Sequence, residues 1–201
     1  MGISILVVVL SYLMGSFSFS YWFARLLKGI DIRSRGSGNA GATNMLRVVG
    51  KGPAAAVFIL DALKGTAAVA LAAWLSGTPT MMMLAGVMAI IGHNWPVFLG
   101  FRGGKGIATT IGVTAFLTLL AALISGVTAI LAIILTRYVS LGSLIFAVSL
   151  PIMILLLDYP SPYVYLSLVI TVMAIIRHAS NIKRLLKGTE SKLGSSQQQR
   201  S

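Results

Sequence analysis

Six apolar stretches, at residues 3–27, 53–75, 80–99, 107–135, 141–157 and 163–176, constrain this chain before any other feature. A run of about 20 apolar residues matches the ~30 Å hydrocarbon core of a bilayer. Inside that core each backbone N–H and C=O needs a partner within the protein, which favours helices. Composition agrees: of 201 residues, 57% are hydrophobic and only 10% charged, against about 25% charged in a soluble domain. A soluble globular domain and a disordered chain are both excluded. The chain has no cysteine, so disulfides, zinc fingers and thiol catalysis are excluded as well. The expected fold is an all-α integral membrane protein, with one polytopic domain over residues 1–190 and a disordered polar tail over 191–201. Residues 3–27 lack a basic n-region and a small-residue cleavage site, and read as a retained first span rather than a signal peptide.

The net charge of +12 arises from 16 Lys and Arg against four acids, and its placement sets orientation. Arg25, Lys28, Arg33, Arg35, Arg47 and Lys51 surround the first connection. Arg102 and Lys105 follow the third stretch, Arg137 follows the fourth, and Arg177, Lys183, Arg184, Lys187, Lys192 and Arg200 belong to the C-terminal segment. The N-terminus and residues 76–79 and 158–162 carry no Lys or Arg. The positive-inside rule therefore places the N-terminus outside, and the first connection and C-terminus in the cytoplasm. A single crossing at 107–135 would put Arg137 and the basic C-terminal segment outside, against the same rule. Two passes restore agreement, but at 1.5 Å per residue each half of that stretch reaches only about 21 Å. The prediction is about seven helical segments, the fourth and fifth short, strongly unequal or re-entrant. No fixed-period repeat is visible.

Four polar stretches interrupt this pattern, all on the predicted cytoplasmic face. In the first connection GSGNAGATNMLR spans residues 36–47. Its Gly36, Gly38 and Gly41 match the dinucleotide pattern G-x-G-x-x-G, but a membrane helix stands where the required strand belongs. GHNWPVFLGFRGGKG spans residues 92–106. It fails the Walker pattern, because Leu99 and Gly106 occupy positions needing Gly and Ser or Thr. RHASNIKRLLKGTE lies at 177–190, and the short RYVSLGS at 137–143. Glycine lets a backbone approach an anion, Ser, Asn and Thr add hydrogen bonds, and Arg grips phosphate through two donors. Together the four stretches predict a pocket for a phosphorylated substrate.

Plainer explanations compete for each feature. Ser11, Gly15 and Ser18 read as close-packing residues, and Trp22, Trp74 and Trp95 as interfacial anchors. Lys187, Lys192 and Arg200 suit anionic lipid, while Met81, Met82 and Met83 fill space. Asp61 and Lys64, three apart in the second stretch, can simply pair on one helix face. The stretch ending at Arg47 can be an ordinary tight loop.

The three longer motifs, in this order and spacing, resemble those of bacterial acyl-phosphate-dependent glycerol-3-phosphate acyltransferases. The hydropathy is similar to that family from end to end. Arg102 stands where Lys is also expected. The resemblance implies transfer of a fatty acyl group from acyl phosphate to glycerol 3-phosphate, giving 1-acyl-glycerol 3-phosphate and phosphate, the first step of phospholipid synthesis. It further implies a multi-pass protein of the bacterial cytoplasmic (inner) membrane with a cytoplasmic active site. No metal, cofactor, nucleic acid or obligatory protein partner is expected beside the two substrates and membrane lipid. Acyltransferases of the soluble type use His followed by four residues and Asp, a spacing that neither His93 nor His178 has.

Under that reading His178, Asn181 and Ser37 are the candidate catalytic residues. Gly36, Gly38, Asn39, Gly41, Thr43, Asn44, Arg47, His93, Gly103, Gly104, Lys105 and Ser143 are the candidate phosphate-binding residues. Acyl phosphate is already activated, so no covalent nucleophile is needed. Either His178 or the leaving phosphate accepts the hydroxyl proton. The rival from another class is a small transporter for an organic phosphate, for which discontinuous helices are usual. A non-catalytic lipid-binding scaffold leaves the Gly and Asn residues beside cations without a purpose.

Overall fold

The computed structural model describes residues 2–194, so most of the expected polar tail lies outside the described residues. The helices are α1 (Gly2–Ser16), α2 (Phe19–Lys28), α3 (Ala42–Val48), α4 (Lys51–Leu75), α5 (Pro79–Asn94), α6 (Ile107–Leu117), α7 (Leu119–Thr136), α8 (Val139–Leu156), α9 (Ser161–Arg177) and α10 (Ala179–Leu186). Short 3-10 turns occupy Ile32–Ser34 and Val97–Leu99, and no strand occurs among the described residues. The chain is an all-helical membrane protein. Five helical stretches are long and apolar enough to cross a bilayer, and α9 with α10, bent by 63°, makes a sixth.

Three breaks refine the apolar stretches. Residues 3–27 form two helices because the chain opens at Phe17 and Ser18. Ser18 caps α2 by accepting from the Tyr21 N–H, and Gly29, at φ 67°, ends it. The Phe17 carbonyl released by the break accepts from Lys64 Nζ at 2.7 Å, so no backbone acceptor is left bare in lipid. The third stretch stops at Asn94, earlier than its hydropathy suggests. Pro96 disfavours helical geometry at Trp95, which adopts φ −133°, ψ 68°. Residues 107–135 do divide, unequally: α6 has 11 residues and α7 has 18, hinged at Thr118. At 1.5 Å per residue α6 extends about 16 Å, too short to cross alone.

Small residues set the helix spacing. A Cβ on Gly15 would fall 2.1 Å from the Ala89 carbonyl oxygen, joining α1 to α5. One on Gly112 would fall 1.8 Å from the Ala62 carbonyl oxygen, and one on Gly65 2.4 Å from that of Thr109, joining α4 to α6. Thr66 Oγ1 adds a hydrogen bond to the Gly112 carbonyl at 2.9 Å. Ser11 is fully buried, as a packing residue should be. Gly112→Ala should cost about 1–3 kcal/mol through overpacking and visibly lower the thermal midpoint in detergent. Gly52→Ala, where a Cβ meets nothing within 4 Å, should cost no stability.

Candidate active site

The polar stretches converge at one end of the helix bundle because each connection is braced to another. Asn44, fully buried, spends its amide on the first connection. Its Nδ2 donates to the carbonyls of Ile32 and Arg35 at 3.0 Å each, and its Oδ1 accepts from the Ser37 N–H at 2.9 Å. Gly36 must be glycine: its φ is 57°, and a Cβ would fall 2.3 Å from that Oδ1. Arg33, paired with Asp31 at 2.7 Å, reaches the Leu99 carbonyl at 2.7 Å and so ties the first connection to the loop after α5. Arg177 anchors that loop from the other side, donating to the carbonyls of Gly104 at 2.6 Å and Gly103 at 3.2 Å. Its guanidinium lies 5.3 Å from the centre of the Trp95 ring.

A cavity of about 300 Å³ opens between these loops and the helices. Its polar end contains Ser37, Asn39, Gly41, Thr43, Asn44, Arg47, His93, Lys105, Ser143, His178 and Asn181. Thus most predicted residues come together there. α6 begins beside Lys105, bringing the positive end of its dipole to the wall at Gly106, Ile107 and Ala108. Gly38 and Gly103 line an adjoining polar cavity of about 610 Å³, which shares Ser37, Asn39, Lys105 and Asn181 with the first and adds Arg33, Arg102 and Arg184. Gly36 and Gly104 line neither. Gly104 lies under the His93 ring, where a Cβ would fall 2.0 Å from Nε2. Ser143 Oγ donates to the Val139 carbonyl of its own helix at 3.0 Å.

Lys105 is held by a hydrogen-bonded chain that the sequence reading missed. Its Nζ donates to Asn181 Oδ1, and Asn181 Nδ2 donates to Glu190 Oε1 at 2.6 Å. Ser140 Oγ donates to the same carboxylate oxygen at 2.7 Å, and Arg184 Nε to Oε2 at 2.7 Å. Both ends of the Asn181 amide are therefore engaged, and its evident work is to aim Lys105. Burial pulls the Lys105 ammonium down to about 8, with the Glu190 charge opposing that shift. The Glu190 carboxyl sits below its usual range although burial pushes it upward. Hydrogen bonds from Ser140, Asn181 and Arg184 outweigh that burial. Glu190 and Ser140 belong to the site, and the available signal was a lone acid among the basic residues after α9.

His178, 2% exposed, occupies the turn between α9 and α10. Its Nδ1 lies 2.8 Å from the Ala174 carbonyl, which only accepts, so the proton is on Nδ1 and Nε2 keeps its lone pair. His93, also buried, points Nδ1 at Asp61 Oδ1 over 3.6 Å, and that oxygen pairs with Lys64 Nζ at 2.8 Å. The Asp61–Lys64 pairing expected from their spacing is present.

Away from the charges the cavity becomes apolar. α4 packs on α6, and α7 on α8. Between the two pairs lie Phe58 of α4, Ile111 of α6, Gly126, Ala129, Ile130 and Ile133 of α7, and Phe146 of α8. Phe58 and Ile130, 41% and 57% exposed, form the outer rim. The cavity therefore joins a polar end, where Arg47 and Lys105 stand near Asp61 and Glu190, to a hydrocarbon-lined leg.

A family model described as glycerol-3-phosphate acyltransferase matches residues 5–188. A glycerol-3-phosphate acyltransferase of Halalkalibacterium halodurans is 54% identical over 195 residues, covering 94% of this chain and 95% of the relative. That of Shouchella clausii is 54% identical over 193 residues, covering 93% and 94%. The crystal structure of PlsY (YgiH), an integral membrane glycerol 3-phosphate acyltransferase in its glycerol 3-phosphate form, is similar at a TM-score of 0.91. It is 38% identical and covered over 96% of each chain. Its lysophosphatidic acid form is similar at a TM-score of 0.88, with 37% identity and the same coverage. The fold, the converging motifs and these matches along nearly the whole length agree that the chain belongs to the glycerol-3-phosphate acyltransferase family.

Proposed function

We propose that this chain transfers a fatty acyl group from acyl phosphate to glycerol 3-phosphate, releasing 1-acyl-glycerol 3-phosphate and inorganic phosphate. The observation that carries the donor assignment is the single cavity with a cationic end and an apolar leg, which fits an acyl chain ending in phosphate. Arg47 and Lys105, with the Ser37 hydroxyl and the loop N–H groups, neutralise phosphate. Lys105 is aimed by Asn181 and Glu190. The adjoining polar cavity, open to Lys105 and Arg102, admits the water-soluble acceptor. A transporter finds less support. The deepest charges, Asp61 and Lys64, neutralise each other, and the remaining cations gather at one face.

The reaction follows from placement. The glycerol hydroxyl oxygen attacks the acyl carbon, a carbon–oxygen ester bond forms, and the anhydride bond to phosphate breaks. The cations stabilise the charge that moves onto the departing phosphate. With Nδ1 committed to the Ala174 carbonyl, His178 Nε2 serves to accept a hydrogen bond and orient the hydroxyl. The proton passes to the leaving phosphate, whose newly freed oxygen is strongly basic, and phosphate departs as hydrogen phosphate. No hydrogen bond links Ser37 to His178 among the described residues, and the His178 Nδ1–H is committed to a carbonyl rather than to an acid. That arrangement supports direct transfer over an acyl-serine.

Arg47→Ala and Lys105→Ala should each raise the Michaelis constant for a phosphate-bearing substrate at least about tenfold, matching loss of a charge-assisted contact worth about 1.5–3 kcal/mol. Lys105 is charged below about 8 and neutral above it, so kcat/KM should decline above about pH 8 and hold steady from there down toward neutrality. Normal kinetics in both variants would exclude this phosphate site.

Initial rates with both substrates varied should give intersecting lines, and labelled acyl phosphate alone should leave no covalent mark on the protein. A stable adduct lost in Ser37→Ala would overturn direct transfer.

The site is proposed to face the cytoplasm, with the N-terminus outside. Cysteines placed at Ser4 and Asp158 of the cysteine-free chain should react with an impermeant reagent on intact cells, and those at Ser34 and Lys192 only after permeabilisation. Labelling of the Lys192 position from outside would reverse the assignment.

A further inference from the structure

Beyond their first turns, most glycines of the long helices have an evident use here, and Gly126 departs from them. A Cβ added to Gly15, Gly65, Gly86, Gly92, Gly112 or Gly142 would come within 2.5 Å of an atom on a neighbouring element. Each of these is glycine because something stands in the way of a side chain. Gly126, in the interior of α7, is different: a Cβ there meets nothing within 4 Å. No left-handed backbone requires it, since it is absent from the positive-φ glycines and lies within regular helix. Glycine in a helix interior is unfavourable relative to alanine, so neither packing nor backbone geometry accounts for its presence.

The cavity supplies a reason. Gly126 lines its apolar leg together with Ala129, Ile130 and Ile133, one face of α7. It is the lining residue of that helix farthest from the basic end, about 15 Å of helix from Thr136. The other helices contribute Phe58, Ile111 and Phe146 to the same leg, while a Cβ at Gly126 would stand in open space. We propose that Gly126 forms the terminal slot for the acyl chain of the donor and thereby sets the longest chain the enzyme accepts efficiently. The inference rests on the acyl-phosphate reading given above. The occupant is the donor's own chain and not a resident lipid, because the apolar leg is continuous with the cationic end that takes phosphate.

A side chain at this position should fill the slot from the protein side without disturbing any neighbour. The purified full chain, with Gly126→Leu and Gly126→Ala, is assayed in one detergent with octanoyl, lauroyl and palmitoyl phosphate at saturating glycerol 3-phosphate. In Gly126→Leu the ratio of kcat/KM for palmitoyl to that for octanoyl phosphate should fall at least about tenfold. Excluding about two methylenes from burial accounts for that factor. Gly126→Ala should show a smaller drop of about threefold, and the Michaelis constant for glycerol 3-phosphate should stay within about twofold of wild type in both. An unchanged ratio in Gly126→Leu would overturn the inference and leave the slot as a gap filled by bilayer lipid. An equal loss on all three donors would overturn it too, assigning Gly126 to helix packing. If the wild-type chain transfers from none of the acyl phosphates, the donor reading fails and the slot assignment falls with it.

Discussion

An ammonium and a carboxylate buried in the second long helix hold together parts of the structure that otherwise have little reason to meet. Lys64 Nζ lies 2.8 Å from Asp61 and 2.7 Å from the Phe17 carbonyl. It thus neutralises one charge and satisfies the acceptor released where α1 gives way to α2. Asp61 in turn faces His93, whose ring supports Gly104 in the loop that carries Lys105. Two charges removed from water cost several kcal/mol each, and breaking such a pair typically costs about 3–5 kcal/mol. The pair therefore does more than tolerate burial. The break in the first apolar stretch is tied directly to this ionic contact, and the end of α5 lies beside it through His93.

The basic face of the molecule obeys a second constraint, that cations meant for a ligand must not be consumed by the protein. Of the many Lys and Arg residues there, Arg33 is taken by Asp31 and the Leu99 carbonyl, Arg177 by Gly103 and Gly104, and Arg184 by Glu190. Lys105 is held by the neutral oxygen of Asn181 rather than by the Glu190 carboxylate directly. An amide placed between them orients the ammonium while leaving its charge available. Asn44 has a comparable position in the first connection, where its amide replaces a stretch of regular backbone hydrogen bonding.

Much of this was legible in the sequence because the bilayer imposes coarse and strict rules. Run lengths located the helices. The placement of Arg137 and the basic C-terminal segment called for two passes in residues 107–135, and the stretch does divide there into α6 and α7. Arg47, Lys105, His178 and Asn181, singled out by residue type, by their shared face and by the resemblance of their motifs, line one cavity. What escaped notice was decided by contacts between distant segments. Nothing local marks Thr118 as a hinge, since it is neither glycine nor proline. The opening at Phe17 is stabilised by a lysine far along the chain. Glu190 reads as no more than the last residue of a basic motif until Ser140, Asn181 and Arg184 are brought around it. Several predicted ligands, Asn44, Gly36 and Gly104 among them, shape the site through the backbone, a division of labour that a motif does not reveal.

The rim formed by Phe58 and Ile130, between the α4–α6 and α7–α8 pairs, has a kinetic meaning. A long-chain amphiphile that reaches the cavity through that rim never leaves hydrocarbon. The relevant concentration is then its mole fraction in the membrane or micelle, not its amount per volume of buffer. Adding detergent at constant total substrate dilutes that fraction, so an enzyme of this shape slows without any change in the protein. Glycerol 3-phosphate, arriving by water, keeps an ordinary bulk concentration. One catalytic centre thus follows two concentration scales at once. With the lipid-soluble donor proposed above, growth of the bilayer itself lowers the two-dimensional concentration of the substrate from which more bilayer is made.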